Sequence, residues 1–144
     1  MSDRVGAVVQ ARLGSTRLPD KVLLPLAGST VIEHLLTSLR QARLVDMIVA
    51  AVPETAPDDR LADFLRERGY AVTRGPEHDV LARYRRAAEE HDLAHILRLT
   101  GDAPLLAPEV VDYVVAAHRA GDWEYTSNGW QAGRTFPLGQ DVRV

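Results

Sequence analysis

Four short apolar runs, at residues 6–9, 47–52, 70–73 and 96–99, alternate with longer segments in which apolar residues recur at helical spacing. No other feature narrows the fold of this chain so far. Runs of this length are strand length, and the intervening segments are too long for hairpin turns. Successive strands must therefore be joined by helical crossovers and lie parallel. Right-handed crossovers place helices against both faces of one doubly wound, mostly parallel sheet, a three-layer α/β/α arrangement. The carboxyl ends of such strands share one edge, and ligands bind in the loops along it. Those loops are residues 11–21, 52–58, 74–79 and 100–104.

The segments between the strands carry their own start and stop signals. Residues 22–26 form a short apolar run, after which Gly28, Ser29 and Thr30 offer a turn and an N-cap. The first helix then puts Ile32, Leu35, Leu36, Leu39 and Ala42 on one face. Asp58 or Asp59 is placed to start a second helix over 61–68, and Gly69 sits where a left-handed cap is wanted. Asp79 or a neighbour caps a third helix running through His91, with Val80, Leu81, Tyr84, Ala87 and Ala88 as its apolar face. Pro108 suits the first turn of a fourth, which buries Val110, Val111, Val114 and Val115 and ends near Gly121. Beyond it the pattern weakens: 123–127 reads as a strand, 128–137 as a glycine-rich loop, and 141–144 as the start of an apolar strand.

Composition removes several classes of function. With 144 residues and 46% apolar content, the chain can bury one core of ordinary size, so a single domain over 1–144 is expected. Lys and Arg number 17 against 20 Asp and Glu, a formal charge of -3. That balance argues against nucleic acid and acidic membranes as partners and requires any basic site to be local. The absence of Cys removes disulfides, thiolate catalysis and zinc-thiolate sites. No apolar run approaches the roughly 18 residues of a membrane span, so a soluble, cytoplasmic protein is expected.

The first edge loop, residues 10–21, holds Arg12, Arg17, Lys21, Gly14 and the hydroxyls of Ser15 and Thr16 directly after a buried strand. Amides freed around Gly14 can face an anion without side-chain obstruction, and the cations supply charge, so the loop reads as a phosphate cradle. A solvated basic loop is the plainer alternative, but cations placed between a strand and a second apolar run favour the cradle. The spacing is that of neither a P-loop nor a Gly-x-Gly-x-x-Gly dinucleotide site. Across the edge, Gly101-Asp102-Ala103-Pro104 sets a carboxylate at a strand tip, facing those cations. A hard oxygen beside phosphate suits Mg²⁺, which makes Asp102 a candidate metal ligand; an isolated Gly-Asp would be a turn residue or helix cap. Arg98, alternating with Leu97 and Leu99, is either a site residue or a paired structural cation. His34, His78, His91, His95 and His118 lack metal-ligand spacing and are read as surface or packing residues. Trp123 and Trp130 are read as packing residues, with an acceptor wall as the alternative.

The string Gln10-Ala11-Arg12-Leu13-Gly14-Ser15-Thr16-Arg17-Leu18-Pro19-Asp20-Lys21-Val22-Leu23 resembles the opening motif of the cytidylyltransferases that make CMP-activated acidic sugars, the acylneuraminate and CMP-KDO synthetase-like enzymes. It is most similar to their spore coat polysaccharide biosynthesis branch. The resemblance implies a Rossmann-like nucleotide-diphospho-sugar transferase fold, with CTP and a sugar-like acceptor as substrates. It implies in-line attack of an acceptor oxygen on the α-phosphorus, loss of pyrophosphate, and a place in surface polysaccharide or glycoconjugate precursor synthesis. Nucleotide contacts would come from Gln10, Ala11, Arg12, Gly14, Ser15, Arg17, Lys21, Arg74 and Gly101. Arg12, Lys21 and Asp102 would be catalytic, and Asp102 would hold Mg²⁺ or Mn²⁺. Residues 74–84 resemble the family segment that borders base and acceptor. Arg74 and Arg83 there could balance substrate charge, while Arg83 and Tyr84 read equally as helix surface and packing residues. Leu138-Gly139-Gln140-Asp141-Val142-Arg143-Val144 resembles a Gly-x-Asp-Val-x-Val strand whose carboxylate, Asp141, approaches the same metal; the plain alternative is an edge-strand Asp. Ala103 stands where this branch often carries a small thiol residue, a harmless change.

The resemblance covers the front part of the usual family domain, so residues 1–144 are expected to be one nucleotidyltransferase-like domain, truncated relative to the family. A homodimer is left open. Two rival readings stand beside the enzyme: a nucleotide-binding module without turnover, and a sugar-phosphate nucleotidyltransferase that uses another nucleoside triphosphate.

Overall fold

The structure is a computed structural model that describes residues 3–129 and 139–144. Trp130 and most of the expected loop 128–137 lie outside the described residues. In chain order, β1 (Val5–Gln10) leads through a loop and a short 3-10 turn (Lys21–Leu23) into a small hairpin, β2 (Pro25–Leu26) and β3 (Ser29–Thr30). There follow α1 (Val31–Leu39), β4 (Met47–Pro53), α2 (Ala56–Glu67), β5 (Ala71–Gly75), α3 (Val80–His91), β6 (His95–Thr100) and α4 (Pro108–Arg119).

The four long strands form one parallel sheet in the order β5-β4-β1-β6. Central β1 pairs on both sides, Val8 standing between Val49 and Arg98. Its side chains are divided by the two-residue period of a strand. Val5, Ala7 and Val9 pack with Ile32, Leu35 and Leu36 of α1, Leu61 and Leu65 of α2 and Val111 of α4. Val8 points the other way, with Val49 and Ala51, against Tyr84 and Ala87 of α3. A strand covered on both faces needs apolar residues at every position, which is why β1 and β4 read as continuous runs. Gly6 is the exception with a reason: a Cβ there would collide with the side chain of Leu93, just beyond α3.

Local chemistry sets the boundaries. Ala27 and Gly28, both at positive φ, form the two-residue turn of the β2–β3 hairpin. Thr30 caps α1 in a capping box with Glu33, whose carboxylate also accepts from Ser29 Oγ at 2.9 Å and Arg68 Nε at 2.5 Å. Burial pushes the Glu33 carboxyl up, but the hydrogen bonds from Arg68, Thr30 and Ser29 outweigh it and hold its pKa at about 2, against 4.5 ordinarily. A depressed carboxyl contributes stability above its unfolded pKa and loses it as pH falls through the folded value. Glu33→Gln should therefore flatten the loss of thermal stability between about pH 4.5 and about pH 2. A pH series of melting temperatures checks this, and identical acid limbs for parent and variant would overturn it.

Three sequence expectations are corrected. The second helix begins at Ala56, with Thr55 as N-cap and Pro57 in the first turn, so Asp58 and Asp59 lie inside it. The apolar run 22–26 is split between the 3-10 turn and β2, because the β2–β3 hairpin turns the chain back within a few residues. Residues 123–127 and 141–144 form no named strand; Arg143 makes single antiparallel bridges to Arg98 and Ser127. The alternation that suggested a strand places Trp123 and Tyr125 in solvent, 61% and 63% exposed, where they supply no face to pack. Only Val142 of the final segment is buried.

Candidate functional site

A cavity of about 400 Å³ opens at the carboxyl edge of the sheet. The end of β1, the loop after it and the start of the 3-10 turn contribute Gln10, Ala11, Arg12, Ser15 and Lys21 to its wall. The turn before α3 and that helix's first turn add Glu77, His78, Val80 and Arg83, and the end of β6 with the loop after it adds Thr100, Gly101 and Asp102. Loops far apart in sequence thus meet because parallel strands end on one side.

Leu13 explains the shape of the first loop. It is 4% exposed, an apolar knob in a polar stretch. Its N–H donates to Asp58 Oδ1 at 2.8 Å, and its carbonyl accepts from the amides of Ser15 at 2.7 Å and Asp20 at 3.1 Å. Asp58, only 3% exposed, also accepts from Thr55 Oγ1 at 2.6 Å. A carboxylate in the first turn of α2 is favoured by the helix dipole, so the same group serves helix and loop. Arg60 of α2 pairs with Asp20 at the loop's far end. Pinned in this way, the loop carries Arg12 and Ser15 to the cavity on either side of Leu13.

Gly101 lets the first and last loops touch. Its N–H donates to the Gln10 carbonyl at 2.8 Å, and a Cβ at 101 would lie 3.0 Å from Ala11 Cβ and 3.2 Å from the Gln10 oxygen. Next to it, Asp102 Oδ2 accepts from Lys21 Nζ. Burial alone would raise the Asp102 carboxyl, but hydrogen bonds from Lys21 and Thr100 and the Lys21 charge hold it below the usual range. Asp102 is therefore a carboxylate that already holds a cation. Among the described residues, no group of three or more His, Asp or Glu side chains is arranged to hold a metal. An ion at Asp102 would have to complete its shell with phosphate oxygens and water, the habit of Mg²⁺ and Mn²⁺, and the donor set fits them.

Four expected site residues stand outside the cavity wall: Gly14, Arg17, Arg74 and Asp141. Arg74 is held elsewhere, donating to Pro53 O at 2.8 Å, Thr55 O at 3.1 Å and Asp59 Oδ1 at 2.9 Å. Asp141 lies beside Gly129, where a Cβ would come within 2.8 Å of its Oδ1. Arg98 donates its backbone N–H to Arg143 O at 2.8 Å, which brings the final segment beside β6. Tyr84 is a packing residue whose hydroxyl donates to Leu99 O at 3.0 Å; burial raises its pKa to about 12. Arg83 is no surface residue: it is 3% exposed and donates through Nη1 to the carbonyls of Pro76 and Glu77. His118 pairs with His95 at 3.2 Å and with Thr126 at 3.0 Å, away from the cavity, while His78 lines the rim. The sequence reading missed Asp58 as the loop's anchor. The signal was present in Thr55-x-x-Asp58, the spacing of a helix cap and its third residue.

Comparison with known proteins agrees with this geometry. The family model described as cytidylyltransferase matches residues 7–135. The spore coat polysaccharide biosynthesis protein SpsF of Bacillus subtilis is 37% identical over 127 residues, covering 84% of this chain and 53% of that protein. A 3-deoxy-manno-octulosonate cytidylyltransferase of Anaeromyxobacter dehalogenans is 35% identical over 122 residues, covering 81% of this chain and 48% of that one. A solved cytidylyltransferase from Leptospira borgpetersenii superposes with a TM-score of 0.91 at 33% identity, covering 99% of this chain and 60% of that one. The chain spans about half the length of the curated relatives it matches. Among the described residues, no helix is long and apolar enough to cross a membrane.

Proposed function

This chain belongs to the cytidylyltransferase family, and we propose that its cavity binds CTP and an acidic, sugar-like acceptor and serves transfer of CMP with release of pyrophosphate. The observation that carries this reading is the meeting of Arg12, Ser15 and Lys21 with Gly101 and Asp102 across one cavity. The relative named for 3-deoxy-manno-octulosonate supports an acidic sugar, and the spore coat relative supports a surface polysaccharide precursor. A single nucleotidyltransferase-like domain over 1–144, a cytoplasmic setting and a homodimer belong to the same proposal.

In this reading Arg12 binds the triphosphate through its planar guanidinium and Lys21 as a compact point charge, and Ser15 donates a hydrogen bond beside them. The amides on either side of Gly14 are already committed, Leu13 N–H to Asp58 and Ser15 N–H to the Leu13 carbonyl, so the loop's phosphate contacts come from side chains, with Arg17 outside the cavity wall. Asp102, with phosphate oxygens, would hold Mg²⁺ or Mn²⁺, which when bound neutralises phosphate charge and orients the chain. Lys21 then exchanges its partner, leaving Asp102 for a phosphate oxygen. The acceptor hydroxyl oxygen bonds to the α-phosphorus as the bridge to the β-phosphate breaks, its proton passes to solvent water, and Arg12 and Lys21 stabilise the charge that grows on departing pyrophosphate. No side chain need act as nucleophile.

CTP with Mg²⁺ is expected to raise the melting temperature more than UTP, ATP or GTP at equal concentration, because a ligand bound only by the folded state stabilises it. A larger shift with another nucleotide would overturn the cytidine assignment. Pyrophosphate release with a panel of acidic sugars separates turnover from binding alone.

A further inference from the structure

At the amino edge of the sheet, away from the cavity, two imidazoles meet where four parts of the chain converge. His118 of α4 lies 3.2 Å, Nε2 to Nδ1, from His95 of β6, with the rings edge to face and their centroids 5.1 Å apart. The outer nitrogen of each ring is engaged as well. His95 Nε2 is 3.2 Å from Asp3 Oδ1, and His118 Nδ1 is 3.0 Å from Thr126 Oγ1. The direction of every bond in this row is forced. An ionised Asp3 only accepts, so His95 carries its proton on Nε2 and offers a bare Nδ1. His118 then donates from Nε2, and its own bare Nδ1 accepts from the Thr126 hydroxyl.

The row tolerates one added proton and not two. A first, on His118 Nδ1, turns the Thr126 hydroxyl into an acceptor and leaves the bond between the rings in place. A second, on His95 Nδ1, sets N–H against N–H and brings two positive rings together where His118 is only 7% exposed. Burial, and then the neighbouring His95, already hold the His118 pKa below its ordinary 6.5. A base depressed in this way contributes stability above the ordinary value and loses it as pH falls. The charges around the pair are divided. Asp3, in the N-terminal segment, is shared with Arg119 of α4 at 3.1 Å, and Arg4 donates to His91 O at 2.9 Å. Arg98 of β6 and Arg143 opposite it stand on the other face, by the two-residue period of a strand. The turn after α4 adds Asp122 and Glu124.

Through Thr126 the row grips the last segment. The Thr126 N–H donates to Val144 O at 3.0 Å, and its carbonyl accepts from Val144 N–H at 2.9 Å. Asn128 donates to Gln140 O at 2.8 Å and accepts from Val142 N–H at 2.7 Å. The Gln140 side chain in turn accepts from Ala107 N–H at 2.8 Å and donates to Leu105 O, at the far end of the loop that carries Asp102. We infer that the His95–His118 pair is a pH-sensitive clasp: with at most one added proton it holds the last segment, and through it the far end of the Asp102 loop, and with two it releases both.

Hydrogen exchange, corrected for the intrinsic pH dependence of the chemical rate, tests this. Between about pH 7.5 and about pH 5.5, the range in which histidine titrates, exchange of the Thr126, Val144 and Ala107 amides should quicken by at least about tenfold, with the β1 and β4 amides unchanged. His34, His78 and His91 titrate in the same range, so the variants decide. His95→Gln keeps an acceptor for His118 and a donor for Asp3 but takes up no proton, and it should abolish the acceleration. His118→Gln keeps a donor for His95 and an acceptor for Thr126 and should do the same, which decides the matter if His95→Gln does not fold. A parent whose exchange is equal at both pH values, or acceleration undiminished in either folded variant, overturns the clasp. Thr126 and Val144 amides that quicken while Ala107 does not overturn its reach to the Asp102 loop.

Discussion

Asp58→Ala is expected to lower the unfolding free energy by about 2–4 kcal/mol, because it deletes two hydrogen bonds and leaves the buried Leu13 N–H unpaired. The same variant should weaken nucleotide binding, although Asp58 is not part of the cavity wall. Without that carboxylate the loop loses its tie to α2, and Arg12 and Ser15 lose the geometry that pre-arranges them. Asp58→Asn keeps an acceptor for Leu13 and should recover most of both properties. Urea denaturation with parallel CTP titration checks the pair of effects. An alanine variant as stable as the parent would show that Asp58 is not the anchor.

Asp102→Asn is expected to remove most of the gain in nucleotide affinity that Mg²⁺ or Mn²⁺ provides, at least about tenfold, whereas Asp141→Asn should cost less. An amide oxygen is a weaker ligand for a hard cation than a carboxylate. Asp102 lies in the cavity wall and Asp141 lies outside it, beside Gly129. Lys21→Ala sharpens the test. It should weaken CTP by the loss of a charge-assisted phosphate contact of roughly 1.5–3 kcal/mol. With no nucleotide present it should bind Mn²⁺ more tightly than the parent, since the ammonium that occupies Asp102 is gone. Mn²⁺ titrations with and without CTP read both arms. Equal metal dependence in the parent and Asp102→Asn would move the metal site elsewhere.

The elements most legible in the sequence were those governed by local rules. The continuous runs of β1 and β4, the Thr30 cap, the Asp79 cap and Pro108 in the first turn of α4 each follow from a few neighbouring residues, and the structure has all of them. A parallel sheet also followed, because the length of a crossover is a property of the chain alone. The meeting of the first and last edge loops was legible for the same reason.

By itself the sequence determined a doubly wound sheet with a cationic first loop and a carboxylate opposite, since periodicity and turn chemistry are carried by adjacent residues. Only the tertiary structure decided which side chains of those loops share a cavity. Arg74 bonds to the end of β4 and to α2, Arg83 is buried against turn carbonyls, and Asp58 ties Leu13 across 45 positions. Such partners are fixed by the packing of α2 and α3 on opposite faces of the sheet, where distance in space has no counterpart in spacing along the chain. The last segment shows the same limit: its alternation reads as a strand, but Val142 is buried in the core, Val144 packs partly buried against it, and the segment is otherwise held by a few hydrogen bonds and isolated bridges.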